Sequence, residues 1–233
     1  MDNAGRARQR MLALFLPIAA VLYISAEALS PKGTDQVATD TATALKLLAI
    51  AAKRPTQLYV AGTCAVLGLG ALAVSYAAIA ALARNRGAAL ATVAALIGGI
   101  GAFCGAIIEV LVFPNLAAAA TAHTTRGAAA QFLVTTFNSG FGHGFEYAYF
   151  IGIYVAPLLM GVALWRSRAV PRWLAVLFFA GLEVAQQQIS SGPVVILYML
   201  PFAAAMVLLA ARIWQAAALP ASRPQPEPAS VPA

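Results

Sequence analysis

Six long apolar runs dominate this sequence. They cover about residues 11–29, 57–83, 88–113, 145–165, 173–189 and 194–214. A helix that crosses a bilayer needs roughly 17–25 predominantly apolar residues, and its backbone polar groups must all be satisfied within the protein. We therefore predict an all-α, polytopic membrane protein, a bundle of six transmembrane helices that occupies residues 1–215.

The composition leaves little room for a soluble domain. Hydrophobic residues make up 61% of the chain and charged residues 10%, whereas soluble domains carry about 25% charged residues. The remaining segment, residues 216–233, has prolines at 220, 224, 226, 228 and 232. Proline at that density favours extended chain, so we predict a disordered cytoplasmic tail.

The basic residues lie mainly at the ends of the apolar runs. The formal net charge is +7, which in a soluble protein would suggest a nucleic-acid partner. Ten basic residues fall on one side of the predicted bundle and five, namely Lys32, Lys46, Lys53, Arg54 and Arg126, on the other. The positive-inside rule then predicts that both termini are cytoplasmic in a plasma membrane, and no nucleic-acid partner is needed to explain the charge.

The N-terminus allows a second interpretation. A basic start, an apolar stretch and the small residues around Ala26-Glu27-Ala28 also resemble a secretory signal peptide. The first apolar run is long enough to span the membrane and five more follow it. An uncleaved first helix is therefore the simpler interpretation.

The two long outer connections each contain a short apolar pattern, around residues 41–53 and 127–137. We predict a short interfacial helix in each, with its apolar side toward lipid. Such helices are either a lid over an outward pocket or ordinary surface helices that stabilise the loop.

Small residues recur in the third run, including Gly98-Gly99 and the pair Gly101 and Gly105, four positions apart. Such spacing lets helix backbones approach closely. It predicts tight packing of this span against a neighbour, and the same face would serve a homo- or hetero-oligomer. Pro201 is expected to kink the sixth span.

Four glutamates lie inside the apolar runs, toward the same side of the bilayer: Glu27, Glu109, Glu146 and Glu183. A carboxylate near the centre of a membrane costs roughly 2.5–3.5 kcal/mol on insertion scales, which makes an accidental set improbable. They predict a polar pocket that opens outward. Tyr23, one turn from Glu27, and Tyr147, next to Glu146, are further candidates for its lining.

His143 and Glu146 carry the most local chemistry of the outward set. At i and i+3 on a helix they face the same way, so they would share a proton, bind a metal, hold a polar ligand, or simply form a structural pair. A metal site usually needs three or four ligands, and Glu27, Glu109 or Cys104 would have to come close to complete one. We predict no metal site.

No other motif identifies a reaction. The sequence has no Asp-rich diphosphate motif, no Gly-rich nucleotide loop and no His-Glu-x-x-His, so we predict no cofactor, and the catalytic residues are unknown. Cys64 and Cys104 either pair, if their Cα atoms lie within about 7 Å, or are two small apolar core residues.

Two segments resemble small six-span bacterial integral membrane proteins of unknown function. They are Ser-Pro-Lys-Gly-Thr-Asp at 30–35, after the first run, and Ser-Arg-Ala-Val-Pro-Arg-Trp-Leu at 167–174, before the fifth. The resemblance implies a six-helix bundle in a bacterial plasma membrane. It implies no reaction and no catalytic residues.

Three classes of function fit these observations. The protein binds or moves a small solute, cation or proton with its outward glutamates, or it is an acid/base enzyme of cyclase or isomerase type on a lipophilic substrate, or it is a structural or accessory subunit. Glutamates that converge on one cavity open to water favour the first class. A cavity that is open sideways to lipid and lined by Phe, Tyr and Trp favours the second, and glutamates that point outward from the bundle favour the third.

Overall fold

The fold is all-helical. The computed structural model describes residues 3–34, 38–83, 85–186 and 194–218, and in these ranges it contains eight α-helices, one short 3-10 helix and no strand. The α-helices are α1 Asn3–Leu29, α2 Thr41–Ala51, α3 Pro55–Ala80, α4 Ala88–Thr121, α5 Arg126–Phe137, α6 Gly140–Ser167, α7 Arg172–Gln186 and α8 Val195–Ala218.

Five helices are long and apolar enough to cross a membrane: α1, α3, α4, α6 and α8. The prediction of a helical membrane protein is confirmed at this level. The remaining apolar run corresponds to α7, which has 15 residues in the described part of the chain. Residues 187–189 of that run and residues 219–233 of the predicted tail lie outside the described residues, whereas 216–218 belong to α8.

The six apolar helices form a closed ring. Each contacts the next in the order α1, α3, α4, α6, α7, α8, and α8 returns to α1. The guanidinium carbon of Arg10 lies 5.6 Å from the centre of the Trp214 ring, and farther along the same two helices the rings of Tyr23 and Phe202 are 6.4 Å apart. The helices α1 and α8 are therefore antiparallel, and the start of α1 lies beside the end of α8.

We call the end with Arg10 and Trp214 the basal end and the opposite end the apical end. The side-chain amide of Gln57 donates a hydrogen bond of 2.6 Å to the carbonyl of Leu29 at the apical end. At the basal end, between α6 and α7, the guanidinium carbon of Arg172 lies 5.2 Å from the centre of the Trp165 ring.

Glycines set the closest contacts of α4, as the small-residue pattern predicts. A Cβ on Gly101 would overlap the Cα of Gly152 in α6, and a Cβ on Gly98 would lie 2.6 Å from the Tyr76 ring in α3. Gly98 and Gly101 therefore contact other helices of the same chain. Gly99, in contrast, has nothing within 4 Å of an added Cβ, and oligomerisation through this helix stays a prediction.

The helix α4 extends well beyond the predicted third span. The sequence analysis ended that span at residue 113 because Pro114 follows, but the helix continues through Pro114 to Thr121. Proline removes one hydrogen bond of the helix, and the alanine-rich turn after it restores helix propensity. The proline ring also packs against α3, where a Cβ on Gly62 would lie 2.9 Å from its Cδ. With 34 residues, α4 is about 51 Å long, longer than the ~30 Å hydrocarbon layer.

The overhang of α4 carries a second hydrophobic core. We call this unit, formed by α2, α5 and the last turns of α4, the apical cap. Both helices predicted in the outer loops are present, but the buried sides of α2 and α5 pack on each other and on α4 rather than on lipid. The buried residues of this core include Leu47, Leu48, Phe113, Leu116, Leu133 and Phe137.

Short polar side chains start the helices of the cap and of α6. Asp40 accepts a hydrogen bond of 2.9 Å from the backbone N–H of Thr43 and one of 2.7 Å from its hydroxyl. Ser139 accepts one of 3.0 Å from the backbone N–H of Gly142. These are N-cap bonds, which satisfy otherwise unpaired N–H groups. The Asn138 amide donates a hydrogen bond of 3.0 Å to the carbonyl of Thr39 and so joins the two long connections at the apical end.

The outside of the ring is apolar. Along α4, Val93, Leu96, Ile100 and Phe103 follow each other at helical spacing and are 47–64% exposed. The short helix α7 has the same kind of surface, since Trp173 is 57% and Val176 49% exposed. Contiguous apolar surface of this extent marks a membrane or interaction surface rather than a surface that faces water.

Candidate functional site

The structure brings Tyr23, Glu27, Glu109 and Tyr149 together in the apical half of the ring. Tyr23 and Glu27 are four residues apart on α1 and share a face. Glu27 interacts electrostatically with Glu109 of α4, and Tyr23 with both carboxyl groups. The hydroxyls of Tyr23 and Tyr149 are hydrogen-bonded to each other. We call these four residues the apical carboxyl cluster.

Two glycines make room for the tyrosines of this cluster. A Cβ on Gly105 of α4 would lie 2.5 Å from the Tyr149 ring, and a Cβ on Gly68 of α3 would lie 3.0 Å from the backbone nitrogen of Tyr23. The close helix contacts leave the two tyrosines 3% and 7% exposed. Because the phenol groups are removed from solvent, their mutual hydrogen bond satisfies polar atoms that would otherwise be costly to bury.

The cluster combines two carboxyl groups from different helices with a pair of phenols. Two carboxylates so placed repel each other when both are ionised, and the repulsion is stronger in a low-dielectric interior than in water. A proton or a cation held between them removes that repulsion. The hydrogen-bonded phenols provide donors and acceptors next to the carboxyl groups, as a proton relay requires.

His143, Glu146 and Tyr147 form a more exposed group at the start of α6. The Nδ1 atom of His143 lies 3.4 Å from Oε2 of Glu146, and the two side chains are 47% and 33% exposed. The Tyr147 ring is 6.3 Å from the imidazole and is 66% exposed. The predicted pair is thus formed, with a long and weak contact. Tyr147 lies on the outside of α6, opposite Tyr149, because the two positions are about 200° apart around a helix.

Glu183 faces another part of the bundle. It interacts electrostatically with Tyr76 of α3. The Tyr76 hydroxyl is buried and has no hydrogen-bond partner in the described part of the chain, and its ring meets that of Phe178 edge to face at 6.5 Å. All four glutamates lie in the apical halves of their helices, but of the four only Glu27 and Glu109 are brought into one cluster within the described residues.

Cys64 and Cys104 do not form a disulfide bond. Both are free, and Cys104 is buried. No group of three or more His, Cys, Asp or Glu that could hold a metal ion occurs in residues 3–34, 38–83, 85–186 and 194–218.

Tyr149 belongs to the apical carboxyl cluster but was not among the site residues predicted from the sequence. The sequence signal was present in Gly105, whose missing side chain leaves the space that the Tyr149 ring fills. The sequence does not show that Gly105 faces α6, and this becomes apparent only when the two helices are packed together.

Comparisons with protein-family models, with curated proteins and with solved structures find no match for this chain.

Proposed function

We propose that the chain crosses the membrane six times, with α7 as a span in addition to the five long helices and with α2 and α5 in the outer interfacial region. A closed ring of antiparallel neighbours needs an even number of helices, which supports a crossing by α7. Arg10, in the first half of α1, contacts Trp214, near the end of α8, so both ends of the bundle's chain lie on one side of the ring, as an even number of crossings requires. The apolar outer surface of α7, with Trp173 and Val176 exposed, suits a helix in contact with lipid.

The basal end is the cytoplasmic end in this proposal. Arg10 and Arg172 lie there, each over a tryptophan ring. An excess of basic residues is typical of the cytoplasmic side, whereas aromatic rings occur at both interfaces. Both ends of the described chain then belong on the cytoplasmic side. The bacterial plasma membrane, which the family resemblance implies, stays a prediction.

We infer that the protein binds and moves a proton or a small cation through the apical carboxyl cluster. The observation that carries this proposal is the approach of Glu27 and Glu109, from separate helices, beside the hydrogen-bonded Tyr23 and Tyr149. Ionisable residues inside a membrane bundle are costly and are typical of proton relays and ion pathways. His143 and Glu146, more exposed at the start of α6, are suited to receive the proton or cation from water.

The other two classes of function have weaker support. A groove of about 300 Å³ between α6 and α7 is lined by Trp165 and Phe179, as expected for a lipophilic substrate, but none of its lining residues is ionisable. It therefore lacks the groups that acid/base chemistry requires. An accessory subunit would present its glutamates to a partner, whereas Glu27 and Glu109 interact with each other and with buried tyrosines.

Infrared difference spectroscopy of the purified protein tests this proposal. A proton held between Glu27 and Glu109 gives a protonated-carboxyl band at pH 7, and a held cation makes the carboxylate bands respond to added cation. We expect either signal to disappear in Glu109→Gln and in Glu27→Gln and to shift in Tyr149→Phe, which loses one hydroxyl hydrogen bond. The matched control is Glu146→Gln, a glutamate outside the cluster, in which the signal should persist.

Transport in liposomes completes the test. Wild-type protein should change the internal pH, or the internal cation content, when a gradient is imposed, and Glu109→Gln should not. A wild-type protein with neither infrared signal would contradict the proposal. So would a signal that survives in both Glu109→Gln and Glu27→Gln.

A further inference from the structure

A cavity of about 560 Å³ lies at the apical end, between the end of α1, the end of α2 and the start of α3. Eight residues of the described part of the chain line it; three of them are basic, namely Lys32, Lys53 and Arg54, and none of the eight is acidic. Lys32 comes from the connection that follows α1, and the other two from the connection between α2 and α3. Separate parts of the chain therefore deliver positive charge to one concave site.

The basic side chains of this cavity have no acidic partner in the described part of the chain. No carboxylate in residues 3–34, 38–83, 85–186 and 194–218 lies at ion-pair distance from Lys32, Lys53 or Arg54, and the ion pair found in these ranges is that of His143 with Glu146. Like charges that converge repel one another, and a bound anion relieves this repulsion. Three of the five basic residues that the sequence assigns to the outer side line this one cavity.

Helix ends contribute partial charges of both signs at this cavity. The first turn of α3, which begins beside Arg54, has no side-chain cap and contributes partial positive charge, whereas the ends of α1 and α2 contribute partial negative charge. Two carbonyls at the end of α1 accept side-chain hydrogen bonds, Leu29 from the Gln57 amide at 2.6 Å and Ala26 from the Ser30 hydroxyl at 2.9 Å. The net positive charge of the cavity therefore comes from the three basic side chains.

We propose that this cavity binds a phosphate group, presented by an anionic lipid headgroup or by a soluble phosphate compound. Its volume lies within the range of about 300–1,000 Å³ of small-molecule sites. A guanidinium binds two phosphate oxygens at once and an ammonium adds a compact charge, so one arginine with two lysines suits a phosphate better than a singly charged carboxylate. The cavity lies where α1 ends and α3 begins, at the level where a lipid headgroup or a dissolved ligand can reach it.

The test uses the full chain purified in a neutral detergent, with two arms. In the first, isothermal titration calorimetry measures binding of inorganic phosphate against chloride at matched ionic strength. In the second, native mass spectrometry compares retention of phosphatidylglycerol with that of a galactolipid that has no phosphate. Binding of inorganic phosphate with no preference for phosphatidylglycerol indicates a soluble ligand, and the reverse indicates a lipid. Either result supports the proposal.

The variants separate the cavity from general surface charge. Lys53→Gln with Arg54→Gln should weaken binding at least about tenfold, because each removes a charge-assisted hydrogen bond. The matched control, Lys46→Gln with Arg126→Gln, removes two exposed charges of the same apical region that do not line the cavity, and should bind as the wild type does. If the first double variant does not fold, Lys32→Gln takes its place, because Lys32 lies outside the helices.

The proposal is overturned if neither inorganic phosphate nor phosphatidylglycerol binds to the wild-type protein. It is also overturned if both double variants weaken binding equally, since the attraction would then come from net charge alone. Neither outcome bears on the apical carboxyl cluster, whose residues do not line this cavity.

Discussion

Gly101 of α4 and Gly152 of α6 pack backbone against backbone, and a Cβ on either residue would overlap the Cα of the other. This contact sets the distance between α4 and α6. One turn farther along α4, Gly105 receives the Tyr149 ring, and one turn beyond it lies Glu109. The close approach of two glycines therefore determines whether Tyr149 reaches the apical carboxyl cluster.

We expect Gly101→Val to destabilise the protein by about 1–3 kcal/mol or more, because a larger side chain must push α4 and α6 apart. Thermal unfolding in detergent, followed by tryptophan fluorescence, measures the effect. The control is Gly99→Val on the same helix, where nothing lies within 4 Å of an added Cβ. Both substitutions change helix propensity alike, so equal melting temperatures would show that the glycine contact does not limit stability.

Topology reporters should show that α7 crosses the membrane. Alkaline phosphatase, which is active only outside the cytoplasm, should be inactive when fused after Arg168 and active when fused after Ser190. Fusions after Gln57 and Gln215 calibrate the outer and inner sides. The expectation follows from the even number of helices in a closed antiparallel ring. Equal activity after Arg168 and after Ser190 would mean that α7 does not cross.

The apical cap should unfold separately from the ring because its core is separate. Leu133, 1% exposed, fills that core, and Leu133→Ala should cost about 2–5 kcal/mol of cap stability. Hydrogen exchange should accelerate in α2 and α5 and stay unchanged in α8. The adjacent Phe132 is 56% exposed, so Phe132→Ala serves as the control and should leave exchange in the cap nearly unchanged.

Acid should weaken the start of α2. Hydrogen bonds from the backbone N–H and the hydroxyl of Thr43 lower the pKa of Asp40 below its usual value of 3.8. A carboxyl with a lowered pKa stabilises the fold above the ordinary value, and this contribution is lost as the pH falls through the lowered one. Hydrogen exchange of α2, corrected for the intrinsic pH dependence, should therefore show a loss of protection on acidification from pH 6 to pH 3.

The variant Asp40→Asn isolates the charge in that experiment. Asparagine also serves as an N-cap but does not titrate, so α2 should lose less protection on acidification in the variant than in the wild type. An identical loss in both proteins would assign the acid sensitivity to another group.

Much of the fold was predictable because membrane spans are long and apolar. The six runs correspond to α1, α3, α4, α6, α7 and α8, and both loop helices appear close to the predicted positions. The predicted end of the third span at residue 113 was wrong because local propensity disfavours a proline inside a helix. The packing of Pro114 against Gly62 and the alanines that follow it favour continuation of the helix. The apical cap was not predicted, because it depends on the part of α4 beyond Pro114, on which α2 and α5 pack.

The sequence by itself determined the helices, their apolar sides, the closeness of packing at Gly101 and the presence of four glutamates in apolar runs. These features depend on residues near each other in the chain, where helical periodicity relates spacing to direction. Only the tertiary structure decided that Glu27 meets Glu109, that Tyr149 rather than Tyr147 faces inward, and that Lys32 joins Lys53 and Arg54. Such meetings depend on the rotation of each helix about its own axis and on the neighbour it packs against. Packing across the whole bundle fixes both, and no short stretch of sequence contains that information.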